Sequence, residues 1–505
     1  MSLTPAAGVA FHEGRGFLAA VGGRRACSRC SGVAGVVTTA DRICAGWSRR
    51  RGHRDSVGRP LASVGAGGQR LTLPATSTFS EATTALCFVL ILLVPFAGAG
   101  LSLINTGLGR SRSAAHAMTG SLVMIATAAV VYFVCGFSWQ GFVRGHGHLL
   151  TIGHTGWNWI AAEPFFMRGL DFGWSPSSLA VVLQLFSVGL AALIPLGAGA
   201  DRWRLGASCA STALLAGWTY PLFAHWVWGG GWLAQLGANY GLGRGFVDAG
   251  GSSTIQVVGG LTALSIAWIL GPRRGKYSAQ GMPAAIPAHN AVFVIFGSAL
   301  ALVGWLGLNS AGALLFSGIG VERAVLVAVN TILAAASASL TAAAITRLRF
   351  GKPDASLTAN GWMAGLVASS AGCAFVKPAV AVIVGIVAGG LVIFAIEQLE
   401  FELKVDDPGG AISVHALGGI WGVLAVGLFA QLPGENRGQL LAQIVGIATL
   451  IGFVLPMTYG LNWLLNRFYP QRVAMDGERQ GMDLQELGAD AYPEFVTHTE
   501  EFIQR

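Results

Sequence analysis

The chain is 505 residues long, 53% apolar and only 11% charged, with a formal net charge of +8. Soluble domains carry about 25% charged residues, so these side chains cannot build a water-covered surface, and most of the exterior must face lipid. The basic excess does not read as a nucleic-acid surface, because 11 of the 32 Lys+Arg fall in the first 75 residues and most others in short loops between apolar runs.

Residues 1–75 are rich in Arg, Gly and Ser, poor in acids, and hold no apolar stretch long enough to cross a bilayer. They lack the charged, apolar, small-residue order of a secretory signal. The segment is expected to be disordered, a leader absent from the mature protein. Cys27 and Cys30, with Cys44 and His53 further on, offer zinc-type ligands. Their spacing matches no familiar finger, so no metal site is expected there.

From 80 to 468 apolar runs of roughly 18–25 residues repeat, each long enough to span a ~30 Å hydrocarbon core as a helix. Eleven are expected: 82–106, 117–138, 176–198, 206–228, 251–271, 286–309, 322–346, 356–374, 377–398, 411–431 and 438–466. The 72 glycines and 15 tryptophans suit this reading, since small residues allow close helix contact in membranes and Trp settles at the interface. Loops after odd-numbered helices carry 11 basic residues, from Arg110 to Lys404, and those after even-numbered helices only 6. The positive-inside rule then gives an N-terminus outside and a C-terminus in the cytoplasm of the cell (inner) membrane. It also strands the Arg-rich leader outside, a further reason to expect that leader to be absent. Cys87, Cys135, Cys209 and Cys373 lie within the runs and read as small hydrophobes. His146, His148 and His154 lie in the loop 139–175, read as an ordinary solvated loop; His225 and His289 read as packing and capping histidines. Residues 469–505 are polar and form the cytoplasmic tail.

Two segments 159 residues apart share one pattern. Asp248-Ala-Gly-Gly is followed by Gln256 and then Gly259-Gly260, and Asp407-Pro-Gly-Gly by His415 and then Gly418-Gly419. Five helices separate their starts, so the copies enter from opposite faces, as in an inverted repeat whose binding site lies near the midplane. The fold class is therefore an all-α membrane protein of eleven transmembrane helices with a five-plus-five inverted repeat. Gln256 and His415 are polar groups in apolar helices, which usually face the bundle interior. Asp248 and Asp407 read as structural helix-start anchors that accept backbone N–H bonds, and the Gly pairs as close-packing sites.

These motifs resemble the ammonium transporter (Amt/Rh) family. Phe223-Ala-His225-Trp-Val-Trp228 looks like the end of its fourth helix, and Asp248 to Gly260 like its fifth-helix signature. Pro287-Ala-His289-Asn290, Trp305-Leu-Gly-Leu308-Asn309, Asp407 to Gly419 and the tail segment Glu478-Arg479-Gln480-Gly481-Met482-Asp483 follow in family order. The resemblance implies a homotrimer with one pore per protomer, in which ammonium passes stacked phenylalanines and loses its proton before ammonia crosses a narrow pore lined by two histidines. It assigns Trp228 to the vestibule, Trp305 to the pore wall and His415 to the second histidine. Gln256 stands where the first histidine belongs, Ser187 (beside Phe186) and Leu308 where the phenylalanine gates belong, and Gly312 where a vestibule serine belongs. The partners expected are ammonium, ammonia or another small solute, the lipid bilayer, further copies in a trimer, and a cytoplasmic regulatory protein. No nucleic acid, cofactor or metal is expected.

No nucleophile triad, phosphate loop or acid pair appears, so no enzyme is expected. A transporter or channel for ammonium is the first reading. The alternative is a relative that has lost conduction and acts as a sensor or scaffold, or that moves a different small solute because Gln256 cannot titrate.

Overall fold

The computed structural model describes residues 79–493, apart from 142–146, 153–154 and 435. The leader with its Cys27–His53 cluster, His146, His154 and the side chain of His148 lie outside the described residues.

Eleven helical segments follow in order: α1 Glu81–Leu108, α2 Ser111–Gln140, α3 Pro176–Gly199, α4 205–227, α5 Ser252–Leu270, α6 Ala291–Phe316, α7 Val321–Phe350, α8 Ala355–Ser370, α9 Pro378–Glu402, α10 Ile412–Phe429 and α11 Gln439–Phe468. Among the described residues nine are long and apolar enough to cross a membrane; α4 and α8 fall short of that measure but lie where the fourth and eighth spans are expected. Several ends differ from the expected ones because caps decide them. The sixth helix starts at Ala291 rather than 286, because the Asn290 side chain accepts from Phe293 N at 3.0 Å. It runs on to Phe316 because no breaker interrupts it. The eighth starts behind Asp354, which accepts from Leu357 N, and stops at Ser370 rather than 374.

The loop 139–175 is not simply a solvated loop. It carries an antiparallel hairpin, β1 Gly147–Ile152 and β2 Thr155–Ala161. Alternation along β2 puts Trp157 and Trp159 on one face, where they meet Trp232 and Trp226 at 5.4 and 5.3 Å between ring centroids. Aromatic contact thus holds β2 to the end of α4 and the segment after it. His225 joins the same contact, with Nδ1 2.6 Å from Gln140 O and Nε2 3.1 Å from Asn158 Oδ1.

At the opposite end, buried charges tie the loops together. Arg273 gives Nε and Nη2 to the two oxygens of Asp406, at 2.9 and 3.1 Å, and Nη1 to Asp201. Arg202, wholly buried, donates to Gly271 O, Ala200 O and Asp406 O. Burial alone would push the Asp406 carboxyl up, but the Arg202 charge and the bidentate Arg273 outweigh it and hold the carboxyl below its ordinary range. The tail docks beside this knot. Glu478 accepts from Arg274 N and Arg472 Nη2, Asp483 from the N–H groups of Ala115 and His116, and Glu486 from Leu205 N. The last two carboxylates sit at the first turns of α2 and α4, where the helix dipole favours negative charge.

Candidate functional site

The repeat builds its own centre. Asp248 accepts from Gly251 N and Ser252 N with Oδ1, and from the N–H and hydroxyl groups of Ser253 and Thr254 with Oδ2, all within 3.2 Å. Asp407 accepts from the N–H groups of Ala411, Ile412 and Ser413. Each acid is followed by a glycine of positive φ, Gly251 at 96° and Gly410 at 65°, a conformation that L side chains resist. Each helix then opens with one widened π-type turn, Ser252–Val257 and Ile412–Leu417. Such a turn re-aims the side chains it carries, and these two carry Gln256 and His415.

The two helices cross closely at glycines, with the backbone of one against the other. A Cβ on Gly260 would lie 2.4 Å from Ala416 N, and one on Gly419 would lie 2.5 Å from Ser252 O. This approach brings His415 Nδ1 to 2.7 Å from Gln256 Oε1, with Gln256 completely buried and His415 nearly so. An amide oxygen only accepts, so Nδ1 carries the proton and Nε2 keeps a free lone pair. The Gln256 Nε2 has no partner among the described residues. Next to His415 lies a small cavity of about 10 Å³, lined in part by Asn105, Ile194, Asn360, Met363 and Val414.

The remaining residues singled out in the sequence make contacts of their own. Trp228 donates Nε1 to Asp248 O at 2.7 Å, and its ring stacks on Phe316 at 4.7 Å with 12° between planes. Trp305 donates to Ser370 Oγ on α8 at 3.2 Å, and Leu308 is buried one turn further along α6. Gly312 is a close-approach position: a Cβ there would lie 2.6 Å from Ala249 O, so a serine would not fit this backbone. Ser187 is wholly buried and donates to Leu183 O, whereas Phe186 beside it is half-buried at the edge of the core. Of that adjacent pair, Ser187 faces the interior.

Sequence reasoning missed Phe316, which covers one face of Trp228, and Tyr220, whose hydroxyl donates to Gln184 Oε1 at 2.6 Å. It also missed Asn105 and Asn360 in the cavity. Gln184 is an amide inside an apolar run, so the test that singled out Gln256 would have found it.

Comparison with known proteins agrees with this geometry. The model of the Ammonium Transporter Family matches residues 85–492. The ammonium transporter Amt2 of Archaeoglobus fulgidus is 34% identical over 432 residues, covering 81% of this chain and 88% of that protein. An ammonium transporter of Bacillus subtilis is 30% identical over 419 residues, covering 81% and 98%. A solved structure described as a Sensor Amt Protein is 30% identical and superposes with a TM-score of 0.72, covering 80% of this chain and 98% of that one. With the paired acid caps, the glycine crossing and the buried polar pair between them, these likenesses make one assignment: the chain is a multi-pass membrane protein that belongs to the ammonium transporter family.

Proposed function

We propose that the chain moves ammonium across the cell membrane as ammonia, through a pore in each protomer of a homotrimer that passes Trp228, Gln256 and His415. Residues 80–468 are the transport domain, the N-terminus is outside, and residues 469–505 are a cytoplasmic tail able to meet a regulatory protein. Leu308, Trp305, Ser187, Phe186 and Gly312 border the same path, while Asp248 and Asp407 support it structurally.

The observation that carries this reading is the Gln256–His415 contact at 2.7 Å in the buried crossing of the two repeats. A cation in such surroundings costs several kcal/mol unless neutralised. Ammonia does not: the free His415 Nε2 can accept an ammonia N–H, and the unpartnered Gln256 Nε2 can donate to the ammonia lone pair. The test is ammonia flux into liposomes holding the purified protein. Flux that His415→Ala abolishes supports the reading, and no flux in the parent overturns it.

A second reading, a sensor or scaffold without conduction, draws on the tail. Its carboxylates bond directly to the first turns of α2 and α4 and to Arg274, so a shift in the bundle reaches the tail without an intermediary. A parent protein that binds ammonium but carries none would favour it. Flux of a different small solute alone would mark the pore as altered in substrate.

A further inference from the structure

Gln184 is an amide pinned on one side only. The Tyr220 hydroxyl donates to its Oε1 at 2.6 Å, which fixes the amide orientation and turns Nε2 away. Gln184 is 0% exposed, and its Nε2 has no partner among the described residues. A buried donor left so calls for a small molecule beside it. Ser187, one turn further along α3 and therefore on the same face, is also 0% exposed. Its hydroxyl hydrogen goes to Leu183 O, which leaves its oxygen free to accept. Tyr220, having given its own hydrogen to Gln184, offers only an oxygen, and the Ser187 hydroxyl lies within hydrogen-bond reach of it.

Packing fixes the depth of this group. A Cβ on Gly259 would lie 2.8 Å from Ala191 O and 2.5 Å from Ile194 Cδ1, so α3 and α5 touch there. The two helices run in the same direction. One turn back along each, Ser187 is level with Ile255, and Gln184 with Ser252. The group therefore lies beside the turn that carries Gln256, towards the end where Trp228 lies.

We propose that Gln184, Tyr220 and Ser187 form a hydrogen-bonding station for a small neutral molecule with a lone pair, ammonia or water, next to Gln256. Gln184 Nε2 donates to the lone pair, and the Tyr220 and Ser187 oxygens accept the hydrogens of the occupant. A cation offers no lone pair and meets the positive end of the amide. The station thus selects the neutral form at the place where the family resemblance leads one to look for an aromatic ring. It rests on the pore reading above for its role in transport, but not for its existence.

The experiment uses the full chain, as parent, Gln184→Leu and Tyr220→Phe, each checked for unchanged elution on gel filtration. High-resolution cryo-electron microscopy should give an isolated density peak within about 3 Å of Gln184 Nε2 in the parent, absent in Gln184→Leu. In liposomes, Gln184→Leu should cut ammonia flux at least fivefold if ammonia is the occupant, or osmotic water permeability if water is. Tyr220→Phe, which frees the amide to rotate, should cut the same flux less, and it replaces Gln184→Leu should that variant not fold. No peak in the parent, or both fluxes unchanged in Gln184→Leu, overturns the station. A parent that carries no ammonia defeats the transport reading instead, and the density peak still decides this one.

Discussion

His415 donates its Nδ1 proton to Gln256 Oε1 across 2.7 Å, although the two residues are 159 positions apart. They occupy equivalent places in the two copies of the repeat, so each helix contributes one polar group to a crossing closed by glycine against backbone and small or apolar side chains. The pairing is not symmetric: one partner is an imidazole, which can exchange a proton, and the other an amide, which cannot.

That asymmetry predicts an electrically silent flux. A proton cannot be handed along a pair in which the amide neither gains nor loses one. Ammonia flux in the parent should therefore produce no current on a solid-supported membrane. Gln256→His supplies a second exchangeable imidazole and should bring current with it. A parent current equal to that of Gln256→His would contradict the idea.

The two acid caps should differ in weight. Asp248 holds groups on four residues, Gly251, Ser252, Ser253 and Thr254, whereas Asp407 holds only three N–H groups, one of them at 3.4 Å. Hydrogen bonds to a charged group contribute about 1.5–3 kcal/mol each and do not add fully. Asp248→Asn should thus cost about 3 kcal/mol or more, and Asp407→Asn less. Thermal unfolding in detergent would reveal the order, and equal losses would speak against the geometry.

Much of this centre was legible beforehand, because the repeat is written in residues with strong local meaning. An acid, a glycine pair, a polar residue and a second glycine pair fix a cap, a turn and a crossing. Helix ends were less legible wherever one side chain such as Asn290 or Asp354 decides them. The hairpin at 147–161 escaped notice because β2 is held by Trp226 and Trp232, over 60 residues further on. Gly312 was misleading for a similar reason. Whether a glycine marks a missing side chain or a close approach depends on what faces it, here Ala249 O at 2.6 Å from any Cβ.

The glycine crossing makes a sharper claim than helix propensity does. Glycine inside a helix is ordinarily worse than alanine by about 0.8–1.0 kcal/mol, so Gly460→Ala, with nothing within 4 Å of the new Cβ, should be neutral or mildly stabilising. Gly260→Ala runs against that trend, since its Cβ would fall 2.4 Å from Ala416 N. Backbone cannot move aside cheaply there, and the variant should lower the melting temperature and abolish flux. Equal behaviour of the two variants would mean that the helices do not cross at this distance.

The charged knot sets a lower limit of pH. Because Asp406 titrates below its ordinary range when folded, its contribution is present above the unfolded pKa of about 3.9 and is lost as pH falls through the lower, folded value. Melting temperature should be insensitive to Asp406 between about pH 5 and 8 and fall in stronger acid. Asp406→Asn should lower stability at neutral pH, since it leaves the buried guanidiniums of Arg202 and Arg273 short of a charge partner. It should also shrink the difference between pH 7 and pH 3. An undiminished acid transition in the variant would assign that transition to other carboxylates.

The tail contacts can be separated one by one, because each carboxylate holds particular N–H groups. Glu478 accepts from Arg274 N at 2.7 Å, Asp483 from His116 N at 2.7 Å, and Glu486 from Leu205 N at 3.1 Å. Removing residues 475–505 releases all of them, and hydrogen exchange should quicken at 115–116, 205 and 274 together. Glu478→Gln should weaken the Arg472 ion pair and speed exchange at 274 while leaving 205 protected by Glu486. If Glu478→Gln instead loosens every site to the same extent, the tail leaves as one cooperative unit. That outcome is favoured if Glu478, at 2% exposure and bonded to both Arg274 and Arg472, is the anchor on which the remaining contacts depend. Comparing Glu478→Gln with Asp483→Asn decides between the two, because only an anchor unlocks sites it does not touch.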